Sequence, residues 1–120
     1  MTIKSVPKGT SKYPIQTAII VPATEYDKII SNTKFKQRIK ATRTFMSNLF
    51  GGYTSVKSVG GYTSKSNKLI KEDGTIVIAY AKEIDFQIKK QKWINWLKRK
   101  KITWKQESIG FIIENDMFYI

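Results

Sequence analysis

Apolar positions along the chain switch between the period of a strand and the period of a helix, and the switches divide it into a short series of elements. Ile15 to Val21, closed by Pro22, contains Ala18-Ile-Ile-Val without a polar break, which predicts a central strand buried on both faces. Phe35, Ile39, Thr42, Met46 and Leu49 then recur on one helical face, with Asn32 or Thr33 as cap and Gly51-Gly52 as a left-handed stop. From Tyr53 to Tyr62 the chain is rich in Thr, Val and Tyr, with Gly60-Gly61 placed for a bulge. Ser64 to Asn67 supplies a turn, Asp73-Gly74 a second one, and Thr75 to Tyr80 reads as another buried strand. A second helix is predicted from Asp85, as N-cap, to Lys101, with Phe86, Trp93, Ile94 and Leu97 facing inward. The tail gives a strand from Ser108 to Ile113, a turn at Asn115-Asp116, and a short strand from Met117 to Ile120.

The order β-α-β-β-α-β predicts an α+β, ferredoxin-like sandwich: an antiparallel sheet, two helices on one face and a short C-terminal hairpin. Residues 1–12 carry Lys4, Lys8 and Lys12 beside Pro7 and Gly9 without periodicity, and read as a flexible basic N-terminal arm. Residues 13–120 read as a single domain, large enough to fold without a staple. The succession Val21-Pro-Ala-Thr, Phe50-Gly-Gly-Tyr-Thr, Gly60-Gly-Tyr, Leu69-Ile-Lys-Glu and Trp104-Lys-Gln-Glu-Ser-Ile-Gly-Phe spreads over most of residues 15–120. It resembles small ferredoxin-like proteins of phages and bacterial mobile elements. These motifs are glycines and strand residues, so the resemblance implies a fold and carries over no functional residue.

Charge changes the picture most. Lys and Arg number 22 against 9 Asp and Glu, a formal +13. Such an excess opposes folding by self-repulsion and points to an anionic partner. Drift toward lysine in AT-rich coding DNA would raise lysine without depleting acids, and acids are scarce here. Lys36, Lys40 and Arg43 share one flank of the first helix. The stretch from Lys89 to Lys105 adds Lys92, Lys98, Arg99, Lys100 and Lys101 with no acid. The last four exceed what a helix C-terminus needs to balance its dipole. Trp93 and Trp104 read as core; Trp96 lies off the inward face and divides between core and base-stacking contact. The expectation is a non-enzymatic protein binding DNA or RNA with low sequence specificity. The alternative is a phage or mobile-element module that covers an acidic protein surface, as an inhibitor of a host defence nuclease or a small virion component.

Chemistry finds little to use in this reading. Without His or Cys, the commonest general base, thiol nucleophiles and most zinc sites are excluded. Gly51-Gly52 and Gly60-Gly61 form no phosphate-binding loop. Glu25, Asp27, Glu72, Asp73, Glu83 and Asp85 read as caps and solvated loops, and no metal or cofactor is expected. Gly110-Phe-Ile-Ile is similar to an RNA-recognition motif but falls in the wrong strand. No apolar run reaches the ~18 residues that span a bilayer, and the apolar helix faces are committed to the sheet, so no membrane partner is expected. The expected location is the cytoplasm of a host cell, or a virion. An open sheet edge leaves homo-oligomer formation available.

Overall fold

The computed structural model describes residues 5–26 and 28–120; Lys4 of the expected arm and Asp27 of the acidic group lie outside the described residues. Residues 5–14 carry no helix or strand. The elements that follow are β1 (Ile15–Pro22), a small pair β2 (Thr24–Glu25) and β3 (Lys28–Ile29), α1 (Asn32–Phe50), β4 (Thr54–Thr63), β5 (Leu69–Ala81), α2 (Glu83–Thr103), β6 (Gly110–Ile113) and β7 (Asp116–Tyr119). Five strands form one antiparallel sheet in the order β4-β5-β1-β6-β7, which is the ferredoxin-like arrangement with an added edge strand. β1 is central, pairing from Ile15↔Ala81 to Pro22↔Gly74 on one side and from Thr17↔Ile113 to Ile19↔Phe111 on the other.

Strand alternation decides which residues meet the helices. Thr17, Ile19 and Val21 of β1, Val77, Ala79 and Ala81 of β5, and Phe111 of β6 lie beneath the helical layer and are all buried. Trp93 of α2 is fully buried among them, edge-on to Phe111 at 5.4 Å, with its Nε1–H directed at Met46 Sδ, 3.2 Å away. Trp96 stacks on Phe45 of α1 at 4.4 Å, and Trp104 meets Trp96 edge-on at 5.8 Å. The opposite face has no helix over it. Ala18, Ile20, Ile76, Ile78 and Ile112 share it by register, with Val56, Tyr80, Met117 and Tyr119 exposed around them.

Several local expectations change. Ser31, not Asn32 or Thr33, caps α1, its side chain accepting from the Lys34 N–H, while Gly51 ends the helix at φ 94° as predicted. α2 begins at Glu83, so Asp85 sits in the first turn instead of capping, and the helix runs on to Thr103. β4 and β5 pair without interruption from Thr54↔Ile78 to Thr63↔Leu69, so Gly60-Gly61 makes no bulge and Asp73-Gly74 no turn. Gly74 serves close approach instead: a Cβ there would lie 3.0 Å from both Ser58 Oγ and the Val21 carbonyl. The terminal hairpin turns through Glu114, at φ 60°, with Asp116 already in β7.

Replacing Trp93 by Ala is expected to lower stability by about 3–5 kcal/mol, because a fully buried indole leaves a cavity that the sheet cannot close. Ile84→Ala, at a position that is largely exposed, should change it by no more than about 0.5 kcal/mol. Urea denaturation of the two variants beside the parent protein checks the contrast.

Candidate active site

A groove of about 550 Å³ opens on the helix-free face of the sheet, where β1 gives way to β2. Its floor is Ile20 and Pro22 of β1 with Gly110 of β6. A Cβ at Gly110 would stand 3.3 Å from Ile20 Cδ1 and 3.4 Å from Tyr119 Cε1, so glycine keeps the floor low. The β4–β5 hairpin forms one wall with Gly60, Gly61, Tyr62 and Glu72, the last paired with Gly60 across the strands. The connection from α2 to β6 forms another, with Gln106, Glu107, Ser108 and Ile109. Met117 and Tyr119 of β7 and Tyr26 of the β2–β3 turn complete it. The groove therefore carries two carboxylates and three tyrosines over an apolar floor, and neither Glu72 nor Glu107 is ion-paired with any described residue.

Two of these walls are tied together behind the groove. The Arg38 side chain is only 6% exposed, and its guanidinium donates to the carbonyls of Pro22 and Thr24, both at 2.8 Å, and to that of Trp104 at 3.2 Å. Gln106 Nε2 donates to two of the same carbonyls, Thr24 at 2.6 Å and Trp104 at 2.8 Å. Glu25 supplies the balancing charge, 2.6 Å from Lys34 Nζ, 3.8 Å from Lys105 Nζ and 3.9 Å from the Arg38 guanidinium. The Lys34 hydrogen bond holds the Glu25 carboxyl below the ordinary value of 4.5; burial opposes it, and the charges of Lys34, Lys105 and Arg38 add to it. Burial in turn pulls Arg38 below the usual arginine value, with Glu25 acting against that.

The basic residues singled out from the sequence lie elsewhere. Lys36, Lys40 and Arg43 line a separate hollow of about 700 Å³ beside Tyr53, where Arg43 donates twice to Ser55 Oγ. Lys89 donates to the Leu49 carbonyl, Lys100 lies over the Trp96 ring, and Lys92, Lys98, Arg99 and Lys101 sit along α2. Trp96 is 7% exposed and Trp104 5%, so neither presents a free face on which a base could stack. Lys105 alone approaches the groove, from behind, through Glu25. Among the described residues no three acidic side chains converge as metal ligands would, and no helix is long and apolar enough to cross a membrane.

The charge pattern of the sequence does not point to this groove. From the sequence, Glu72 reads as a cap or solvated-loop acid, and Glu107, Tyr26, Tyr62 and Tyr119 carry no signal of a binding role. A signal of another kind did exist: the segments Leu69-Ile-Lys-Glu and Gln106-Glu-Ser-Ile-Gly, noted for their resemblance, bear the two carboxylates of the groove.

No family model matches the chain, and no curated protein matches it. Two solved structures do, over nearly their whole length. One is a phage SAM lyase in complex with S-methyl-5'-thioadenosine, 21% identical, covering 97% of this chain and 95% of that one with a TM-score of 0.66. The other is a phage SAM lyase in the apo state, 19% identical over the same shares, with a TM-score of 0.61. The chain shares its fold with a phage SAM lyase. This overturns the expectation of a non-enzymatic nucleic-acid-binding protein, since the solved chains that match it end to end belong to an enzyme. The resemblance to phage proteins drawn from the sequence holds at the level of fold.

Because the folded Glu25 carboxyl is held below its ordinary value, its contribution to stability is present above pH 4.5 and is lost as pH falls through the folded value. Glu25→Gln removes that titration. The gap in thermal midpoint between the parent protein and this variant should be open at pH 7 and should narrow as pH drops below 4.5, which differential scanning calorimetry across a pH series checks.

Proposed function

We propose that the protein is a lyase that cleaves S-adenosylmethionine in the groove between Glu72 and Glu107, releasing S-methyl-5'-thioadenosine. The observation that carries the reading is the end-to-end match to an enzyme of that activity, one copy of which holds S-methyl-5'-thioadenosine. The groove suits the ligand. Its volume of about 550 Å³ falls within the roughly 300–1,000 Å³ of small-molecule sites. S-adenosylmethionine carries a sulfonium and an ammonium, and carboxylates that no described residue pairs, on a protein of formal charge +13, are where such a cation would be drawn. Tyrosine rings offer faces for the adenine and for the sulfonium.

The reaction needs neither of the side chains the sequence lacks. The substrate's own carboxylate oxygen closes on its Cγ, the Cγ–S bond breaks, and the electron pair passes to sulfur. The products are the neutral thioether S-methyl-5'-thioadenosine and a five-membered lactone that retains the ammonium. No water is consumed and no proton leaves. A carboxylate and a sulfonium lose their charges together on the way, so a poorly hydrated surface favours the transition state over the separated charges. Ile20, Pro22 and Met117 provide that surface. Glu72 and Glu107 then act as binding groups for the ammonium and the ribose hydroxyls. This reading keeps the phage setting of the alternative drawn from the sequence and replaces the covering of a surface with chemistry.

Chromatography of a reaction containing the protein and S-adenosylmethionine should show S-methyl-5'-thioadenosine accumulating faster than by spontaneous decay. Glu72→Gln and Glu107→Gln should each lower kcat/KM by roughly ten- to a hundredfold, mainly through KM, the scale of losing a charge-assisted hydrogen bond. A folded parent protein that leaves S-adenosylmethionine untouched overturns the proposal.

A further inference from the structure

The connection behind the groove meets the β2–β3 turn at two left-handed residues. Tyr26 and Lys105 both adopt left-handed backbone conformations, at φ 52° and 53°, although neither is glycine. Lys105 is the left-handed residue that stops α2, with its own N–H on the Ile102 carbonyl and the Gln106 N–H on that of Lys101, and Tyr26 opens the tight turn between β2 and β3, where a positive φ is called for. The two face each other: the Tyr26 N–H donates to the Lys105 carbonyl at 3.0 Å. Lys105 is the residue immediately before Gln106 and Glu107, while Tyr26 is the one immediately after Glu25. A change of conformation at either would swing a groove-lining side chain away from the floor.

Glu25 holds this pair from the far side. Its carboxylate reaches Lys34 on α1 and Lys105 itself, and it balances the Arg38 guanidinium, whose carbonyl partners belong to Pro22, Thr24 and Trp104. These partners lie just before Tyr26 and Lys105 in the chain. Glu25 does not line the groove; it lines a different hollow, beside Lys34 and Ser31. An ion pair as exposed as Lys34–Glu25 contributes little to stability in general. Its placement between Tyr26, which lines the groove, and Lys105, which leads into Gln106 and Glu107, gives it another use.

We propose that Glu25 is a positioning residue for the groove: by tying Lys34, Arg38 and Lys105 together it holds Tyr26 and the Gln106–Glu107 segment in their groove-facing arrangement. For the consequence on ligand affinity this rests on the lyase reading; for the backbone geometry it does not. It predicts two separable effects of Glu25→Gln, a substitution of nearly the same size that removes only the charge. The Tyr26 amide loses its lock to the Lys105 carbonyl, and affinity for adenosyl ligands falls although Glu25 touches none.

The test uses the full chain and two measurements. Hydrogen exchange followed by NMR should show the Tyr26 amide exchanging at least tenfold faster in Glu25→Gln, with amides of the central strand, such as Ile19, unchanged. Calorimetric titration with S-methyl-5'-thioadenosine should show binding weakened about tenfold in Glu25→Gln, and by much less when the same change is made in a Tyr26→Ala background, because coupled residues are non-additive. Equal losses in both backgrounds mean a merely structural role and overturn the proposal, as does an unchanged Tyr26 amide. If the parent protein binds no S-methyl-5'-thioadenosine while the Tyr26 amide still responds as expected, the lyase reading fails and the positioning of the backbone stands.

Discussion

The guanidinium of Arg38 lies inside the protein and donates to main-chain carbonyls from two connections that are distant in sequence, the one leaving β1 and the one leaving α2. A buried cation is tolerated only when its hydrogen bonds are made and its charge is balanced. Those requirements shape this end of the molecule. The chain after β1 must turn so that the Pro22 and Thr24 carbonyls point at α1, which the small β2–β3 pair achieves. α2 must continue to Thr103 so that the Trp104 carbonyl arrives within reach. Glu25 must then stand nearby. The two connections so fixed are those that bring Tyr26, Gln106 and Glu107 to the groove.

Charge is distributed in layers. α1 carries five basic residues and no acid, and α2 carries seven with only Glu83 and Asp85 against them, both in its first turn. Glu72 and Glu107 lie on the opposite face of the sheet. Because exposed charges act over about 10 Å at ordinary ionic strength, the sheet and the helices above it separate the two fields well enough for a cation to meet the carboxylates first. The formal charge is thus a property of the helical layer, and it describes the groove poorly.

Much of the fold was legible because it rests on periodicity. The Ala18-Ile-Ile-Val run fixes β1 at the centre, and the spacing of Phe35, Met46 and Leu49 fixes α1 above it. Glycines misled where their two physical roles diverge: Gly60-Gly61 and Gly74 looked like bends, yet they permit close approach within straight strands. Arg38 was invisible for a different reason. An arginine on a lysine-rich helix reads as solvated, and its burial depends on carbonyls of Pro22, Thr24 and Trp104 that the fold brings from distant segments. The groove was illegible because its members come from four separate segments, each unremarkable alone. Abundant lysine drew the reading to the helices, where charge is dense but nothing concave holds acids and aromatics together.

The sealing of all three indoles inside the helical layer has an optical consequence. Trp93, Trp96 and Trp104 emit from the core, with Met46 and the Phe45 and Phe111 rings as neighbours, so their emission follows the packing of the helices and is insulated from what occupies the groove. The open face carries only tyrosine. A single indole introduced at the exposed edge of that face would therefore give a second emitter, spectrally red-shifted by water, whose signal reads ligand while the native three read folding.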